Sequence, residues 1–129
     1  MDVIGIDVGG SSVKISAMVG GEWREARSDR YARPDASLVR EAVLCCVKEL
    51  GGAKYGVVGL SIPGILSEDG SRIERSFNLP ELEGVELRGI VEDALGEGGV
   101  VHVIGDGEAQ GVGYVSSHPL EGVTVCVAL

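Results

Sequence analysis

The chain has 129 residues, 44% hydrophobic and 24% charged, which is enough for one domain with a true core and too little for two. Twenty acidic residues against 11 basic ones give a net charge of −9, a balance that repels nucleic-acid phosphates and anionic membranes. No apolar run reaches the ~18 residues of a membrane span, and the start Met1-Asp2-Val3-Ile4-Gly5 lacks the basic region of a signal peptide, so a cytoplasmic protein is expected.

Val3, Ile4, Ile6 and Val8 make a first strand over Asp2 to Val8, which Gly9-Gly10-Ser11 interrupts. Val13, Ile15, Ala17 and Val19 alternate with Ser12, Lys14, Ser16 and Met18, so a second strand follows and the Gly-Gly turn makes a hairpin. After Gly20-Gly21 a weaker third strand runs from Glu22 to about Arg30, with the lone tryptophan, Trp23, expected to pack on this meander. Asp35 and Ser37 are candidate caps for a helix whose apolar residues, Leu38 to Leu50, recur at helical spacing before Gly51-Gly52. Tyr55 to Ile62 is a nearly continuous apolar run, as in a strand covered on both faces, and Pro63-Gly64 ends it.

A loop-rich stretch with a short hairpin is expected from Ile65 to Glu83, then a second amphipathic helix from Leu87 to Leu95, stopped by Gly96. Val100 to Ile104 forms another strand, and Gly105-Asp106-Gly107 leads into a third helix from Gly107 to Val115. Gly111 and Gly113 each weaken that helix by roughly 1 kcal/mol relative to alanine, which points to close packing against it. Val123 to Leu129 reads as a final strand, an unpaired apolar edge through which two copies could associate. The order, β-β-β-α-β-(ββ)-α-β-α-β, predicts an α/β fold: a mixed sheet of an antiparallel three-strand meander plus parallel strands, with helices on both faces.

Cys45, Cys46 and Cys126 have no metal-ligand spacing and read as small buried thiols. His102 lies within a strand and reads as structural or exposed, and His118 precedes Pro119 in a loop.

Two aspartates stand where chemistry is done. Asp7 precedes the Gly9-Gly10 turn, whose N–H groups can face phosphate oxygens while the carboxylate holds Mg²⁺ directly or through water. Ser11 and Ser12 add hydroxyl donors and Lys14 a positive charge, although a plain hairpin turn capped by Asp7 explains the same residues. Asp106 sits between a strand end and a helix start, in the crevice where α/β sheets bind ligands, and could act as general base toward a hydroxyl or simply cap the helix. Asn78, in Ser76-Phe77-Asn78-Leu79-Pro80, is a loop amide able to donate to and accept from a polyol, or a turn residue.

Together these segments resemble the ROK family of sugar kinases and regulators, within the actin-hexokinase superfamily and its ribonuclease H-like fold. Gly5 to Lys14 resembles the family's first phosphate motif, and Gly59-Leu60-Ser61-Ile62-Pro63-Gly64 the strand and turn that close the sugar pocket. Asn78-Leu79-Pro80 resembles the loop whose asparagine contacts a sugar hydroxyl, and Val103 to Ala109 the motif whose aspartate is the catalytic base. The resemblance implies phosphoryl transfer from ATP with Mg²⁺. Asp106 would be the base, Asp7 the metal residue, and Gly9, Gly10, Ser11, Ser12 and Lys14 the phosphate site, with Pro63, Gly64, Asn78 and Asp106 holding a small-molecule sugar. It also implies a division at about residue 120, with 121–129 as the first strand of a second domain, and a family-type dimer.

Gly105 departs from the pattern, since the family usually carries a sugar-binding asparagine there. The second phosphate motif, the adenosine-binding lobe and the zinc segment of the family are not in this sequence, so the resemblance implies half a kinase, inactive alone. Two alternatives accompany it: a non-catalytic sugar-binding or regulatory ROK-like module, and a ribonuclease H-like metal-dependent nuclease.

Overall fold

The computed structural model describes residues 3–51, 55–96 and 98–106, together with Ala109, Ser116, Ser117 and Gly122. Alternation sets the first hairpin. In β1 (Val3–Val8) Ile4, Ile6 and Val8 are buried, and in β2 (Val13–Val19) Val13, Ile15 and Ala17 are. The two strands pair antiparallel with Ile4 opposite Ala17, Ile6 opposite Ile15 and Val8 opposite Val13, so all six side chains share one face. Sinking each Ile or Val of this set stabilises the fold by roughly 1.5–3 kcal/mol. A one-residue slip would turn the whole set to the other face, which is what fixes the register.

β3 (Glu22–Arg27) pairs antiparallel with β2 and buries only Ala26. α1 (Ala36–Glu49) starts on Asp35, whose carboxylate accepts the Leu38 amide at 2.8 Å, and buries Val39, Val43, Cys46 and Val47. β4 (Val57–Ile62) returns parallel to β1. A small hairpin, β5 (Ile65–Leu66) and β6 (Ile73–Arg75), and a 3-10 turn at Pro80–Leu82 lead to α2 (Leu87–Leu95). Glu86 caps α2 by accepting the amides of Arg88 and Gly89. β7 (Val100–Gly105) pairs parallel with β4.

The sheet order is β3-β2-β1-β4-β7, the mixed α/β arrangement expected from the sequence. α1 lies on β2 and β3, α2 on β7, and the two helices pack on each other over one face of the sheet. The third helix expected over 107–115, the strand Val123–Leu129 with its proposed self-association, His118 and Cys126 lie outside the described residues.

In β4 Val58, Leu60 and Ile62 are buried, whereas Val57, Gly59 and Ser61 are half-exposed. Three expectations need correction. Trp23 does not pack on the meander but is 69% exposed, since it sits on the edge strand, on the face away from α1 and α2. Cys45 is exposed while Cys46 is buried, because neighbouring helical residues point about 100° apart. β3 also stops at Arg27 rather than near Arg30, where the chain leaves the sheet to cross the first turn.

Candidate functional site

β1, β4 and β7 run parallel, so their carboxyl ends lie along one edge of the sheet. Asp7 is next to last in β1, Pro63-Gly64 follows β4, and Asp106 follows β7. The pairing of β4 with β7 ends at Ile62 opposite Gly105, which makes Pro63 and Asp106 the next residues on adjacent strands. Asp106 is half-buried and helical in conformation, consistent with the strand-to-helix junction read from the sequence.

Asp7 is exposed on the sheet face opposite the helices, with Lys14 across from it on β2 and Ser61 on β4. These residues, with Gly5, His102 and Ala109, line a shallow depression of about 420 Å³. His102 is exposed there, as one of the two sequence readings had it.

The Gly9–Ser12 turn is closed by the Gly9 amide donating to the Ser12 carbonyl at 3.0 Å. Among the described residues the Gly10 and Ser11 amides meet no acceptor, which leaves them free for an anion. A β-carbon on Gly10 would stand 3.4 Å from the Asn78 β-carbon, so the Gly9–Ser12 turn and the Asn78 loop approach each other closely. Among the described residues no three His, Cys, Asp or Glu side chains converge as a metal site.

The Asn78 loop is fixed from beneath. Ser76, 3% exposed, donates its hydroxyl to the Pro63 carbonyl at 2.9 Å and accepts the Leu79 amide at 3.0 Å. The Glu83 carboxylate accepts the Ser76 amide at 3.0 Å. Gly64 completes the join. At φ +119° it occupies a conformation side chains avoid, and a β-carbon there would meet the Arg75 carbonyl at 2.5 Å. Asn78 itself is exposed, its side chain at the surface above this joint.

The sequence reading passed over two residues of this site. Ser76 is one; Tyr31, which hydrogen-bonds to the Gly9–Ser12 turn, is the other. Both act across long sequence separations, and neither belongs to a local pattern that would mark it.

No family model matches the chain, and no curated protein sequence does. Solved structures do match. A ROK hexokinase from Thermus thermophilus superposes with a TM-score of 0.66 at 24% identity, over 89% of this chain and 38% of that one. A ROK family glucokinase from Streptomyces griseus, in complex with glucose and AMPPNP, gives 0.70 at 21% identity over 89% and 36%. A ROK family transcriptional regulator, a homologue of the E. coli MLC protein, gives 0.68 at 15% identity over 89% and 30%. The chain therefore spans well under half the length of each of these proteins, and over that span it has the fold found in ROK-family kinases and regulators.

Proposed function

We propose that this chain is the phosphate- and sugar-binding half of an ATP-dependent sugar kinase of the ROK type, with residues 1–120 as the amino-terminal domain and 121–129 opening a second. The observation that carries the reading is the close approach of Gly10 to Asn78, which supports a turn for phosphate beside an amide for a polyol. The matches to sugar kinases, one of them holding glucose and an ATP analogue, support it.

In this reading Asp106 accepts the proton of a sugar hydroxyl as its oxygen bonds to the γ-phosphorus of ATP and the bond to the departing ADP breaks. Asn78, with the Pro63-Gly64 turn beneath it, holds the sugar so that one hydroxyl faces Asp106. The Gly10 and Ser11 amides, the Ser11 and Ser12 hydroxyls and Lys14 receive phosphate oxygens. Mg²⁺, held near Asp7 through water, would offset phosphate charge. Turnover in this reading requires a second lobe to exclude water from the cleft.

A non-catalytic, sugar-binding module is the second reading, favoured by Gly105, where an amide for the sugar is lacking, and by the match to a regulator. Calorimetric titration with sugars, Mg·ATP and a short DNA duplex separates the readings. The kinase reading expects binding of both sugar and Mg·ATP, with sugar binding lost in Asp106→Ala. Sugar binding without nucleotide binding favours the module. Tight duplex binding would overturn both in favour of a nuclease.

A further inference from the structure

We propose that Tyr31 is a positioning residue that holds the Gly9–Ser12 turn open to phosphate, an inference that rests on the kinase reading of that turn. After β3 the chain does not go straight to α1. It first lies across the turn, tied down at successive points. The Ser28 hydroxyl accepts the Val13 amide at 2.9 Å, and the Ser28 amide donates to the Val13 carbonyl at 2.9 Å. The Tyr31 amide donates to the Ser11 carbonyl at 2.9 Å, and the Tyr31 hydroxyl donates to the Gly9 carbonyl at 2.6 Å. Arg33 then pairs with Glu81 at 3.2 Å, in the turn that follows Asn78.

One side chain and its own backbone thus grip both shoulders of the turn. In a simple two-residue hairpin the first carbonyl accepts the amide that closes the turn. Here the Gly9 carbonyl accepts a phenol instead. With the Gly9 and Ser11 carbonyls both drawn toward Tyr31, the peptide planes between them are held with their N–H groups unpaired among the described residues. An anion needs donors fixed in this way before it arrives, because ordering them on binding weakens affinity. The phenol is half-buried, and a tyrosine hydroxyl is protonated at physiological pH, so it serves as a donor there.

Tyr31→Phe keeps the ring and removes the donor. Amide hydrogen exchange and a titration with Mg·ATP, both followed by NMR on the chain and on this variant, test the idea. Protection of the α1 amides reports whether the variant folds. Exchange at the Gly9 and Tyr31 amides should quicken about tenfold while α1 is unchanged, as expected for one lost hydrogen bond. The dissociation constant for Mg·ATP should rise about five- to tenfold, with that for glucose unmoved. Equal exchange at the turn in both proteins overturns the positioning role, as does a loss of glucose and Mg·ATP affinity by the same factor. Should Mg·ATP move none of the turn amides in the unsubstituted chain, the phosphate reading is overturned, and with it the role of Tyr31 in holding the turn for phosphate.

Discussion

A β-carbon placed on Gly64 would stand 2.9 Å from the β-carbon of Ser76, and the Ser76 hydroxyl is bonded to the Pro63 carbonyl one residue away. The two loops that frame the candidate sugar site are therefore one joint, locked by a glycine on one side and a buried hydroxyl on the other.

Gly64→Ala is expected to destabilise the chain by roughly 2–4 kcal/mol, combining a strained φ with a clash against the Arg75 backbone that has no flexible side chain to absorb it. Urea unfolding measures the change. An effect within ~0.5 kcal/mol of zero, as for an unconstrained surface site, would contradict the joint.

Ser76→Ala leaves the Pro63 carbonyl and the Leu79 amide without their partner, at a cost of about 1–3 kcal/mol. The loss should be felt locally too. Under the proposed kinase reading, sugar affinity is expected to fall through the loosened Asn78 loop, while Mg·ATP affinity at the turn changes less; calorimetry on the variant reads both.

Gly105 offers the opposite case. A β-carbon there meets nothing within 4 Å, and its φ is not in the positive range, so no described contact demands glycine. Gly105→Asn should leave the melting temperature nearly unchanged and tighten sugar binding about two- to tenfold by restoring one polar contact. A destabilised variant, or one with unaltered sugar affinity, would count against the proposed sugar site.

Tyr31 gives a pH signature. Its pKa rises from 10.0 to about 12 on folding, so the protonated phenol favours the folded chain. That contribution is complete below pH 10 and is lost as the pH rises through about 12. The stability difference between the chain and Tyr31→Phe should accordingly be flat up to pH 10 and shrink above it. A difference that stays constant through that alkaline range would be inconsistent with a half-buried, protonated donor.

Asp69 is the acid-side counterpart. The Ser71 hydroxyl, then the Ser71 amide and the Ser67 hydroxyl, donate to its carboxylate and lower its pKa to about 2. These bonds should persist well below the ordinary aspartate range and fail as the pH falls through about 2. Carboxyl-carbon NMR in the chain and in Ser71→Ala, where the value should move back up, provides the check.

Local chemistry made much of this legible. Alternation in β1 and β2, the Asp35 cap and the glycine after α2 were each readable within a few residues, so element order and the mixed sheet followed. Gly10 lies close to Asn78, and Gly64 packs on Arg75 and Ser76, two approaches between segments that local pattern alone does not bring together. What escaped was long-range: Tyr31 reaches back 22 residues to Gly9, and Ser76 13 residues to Pro63, with nothing near either to announce it. Trp23 misled because hydrophobicity alone does not tell an edge strand facing away from the helices from one packed beneath them.

The place of β4 between β1 and β7 sets a ruler at the site. Neighbouring strands lie about 4.8 Å apart, so the backbones carrying Asp7 and leading to Asp106 are separated by about 10 Å. Whatever bridges that gap crosses the end of β4 at Ser61, half-exposed beside Asp7, and at Gly64, since Ile62 and Pro63 are buried. Substitutions on this floor, more than changes to either carboxylate, should therefore govern which molecules are long enough, and thin enough, to be held between the two acids.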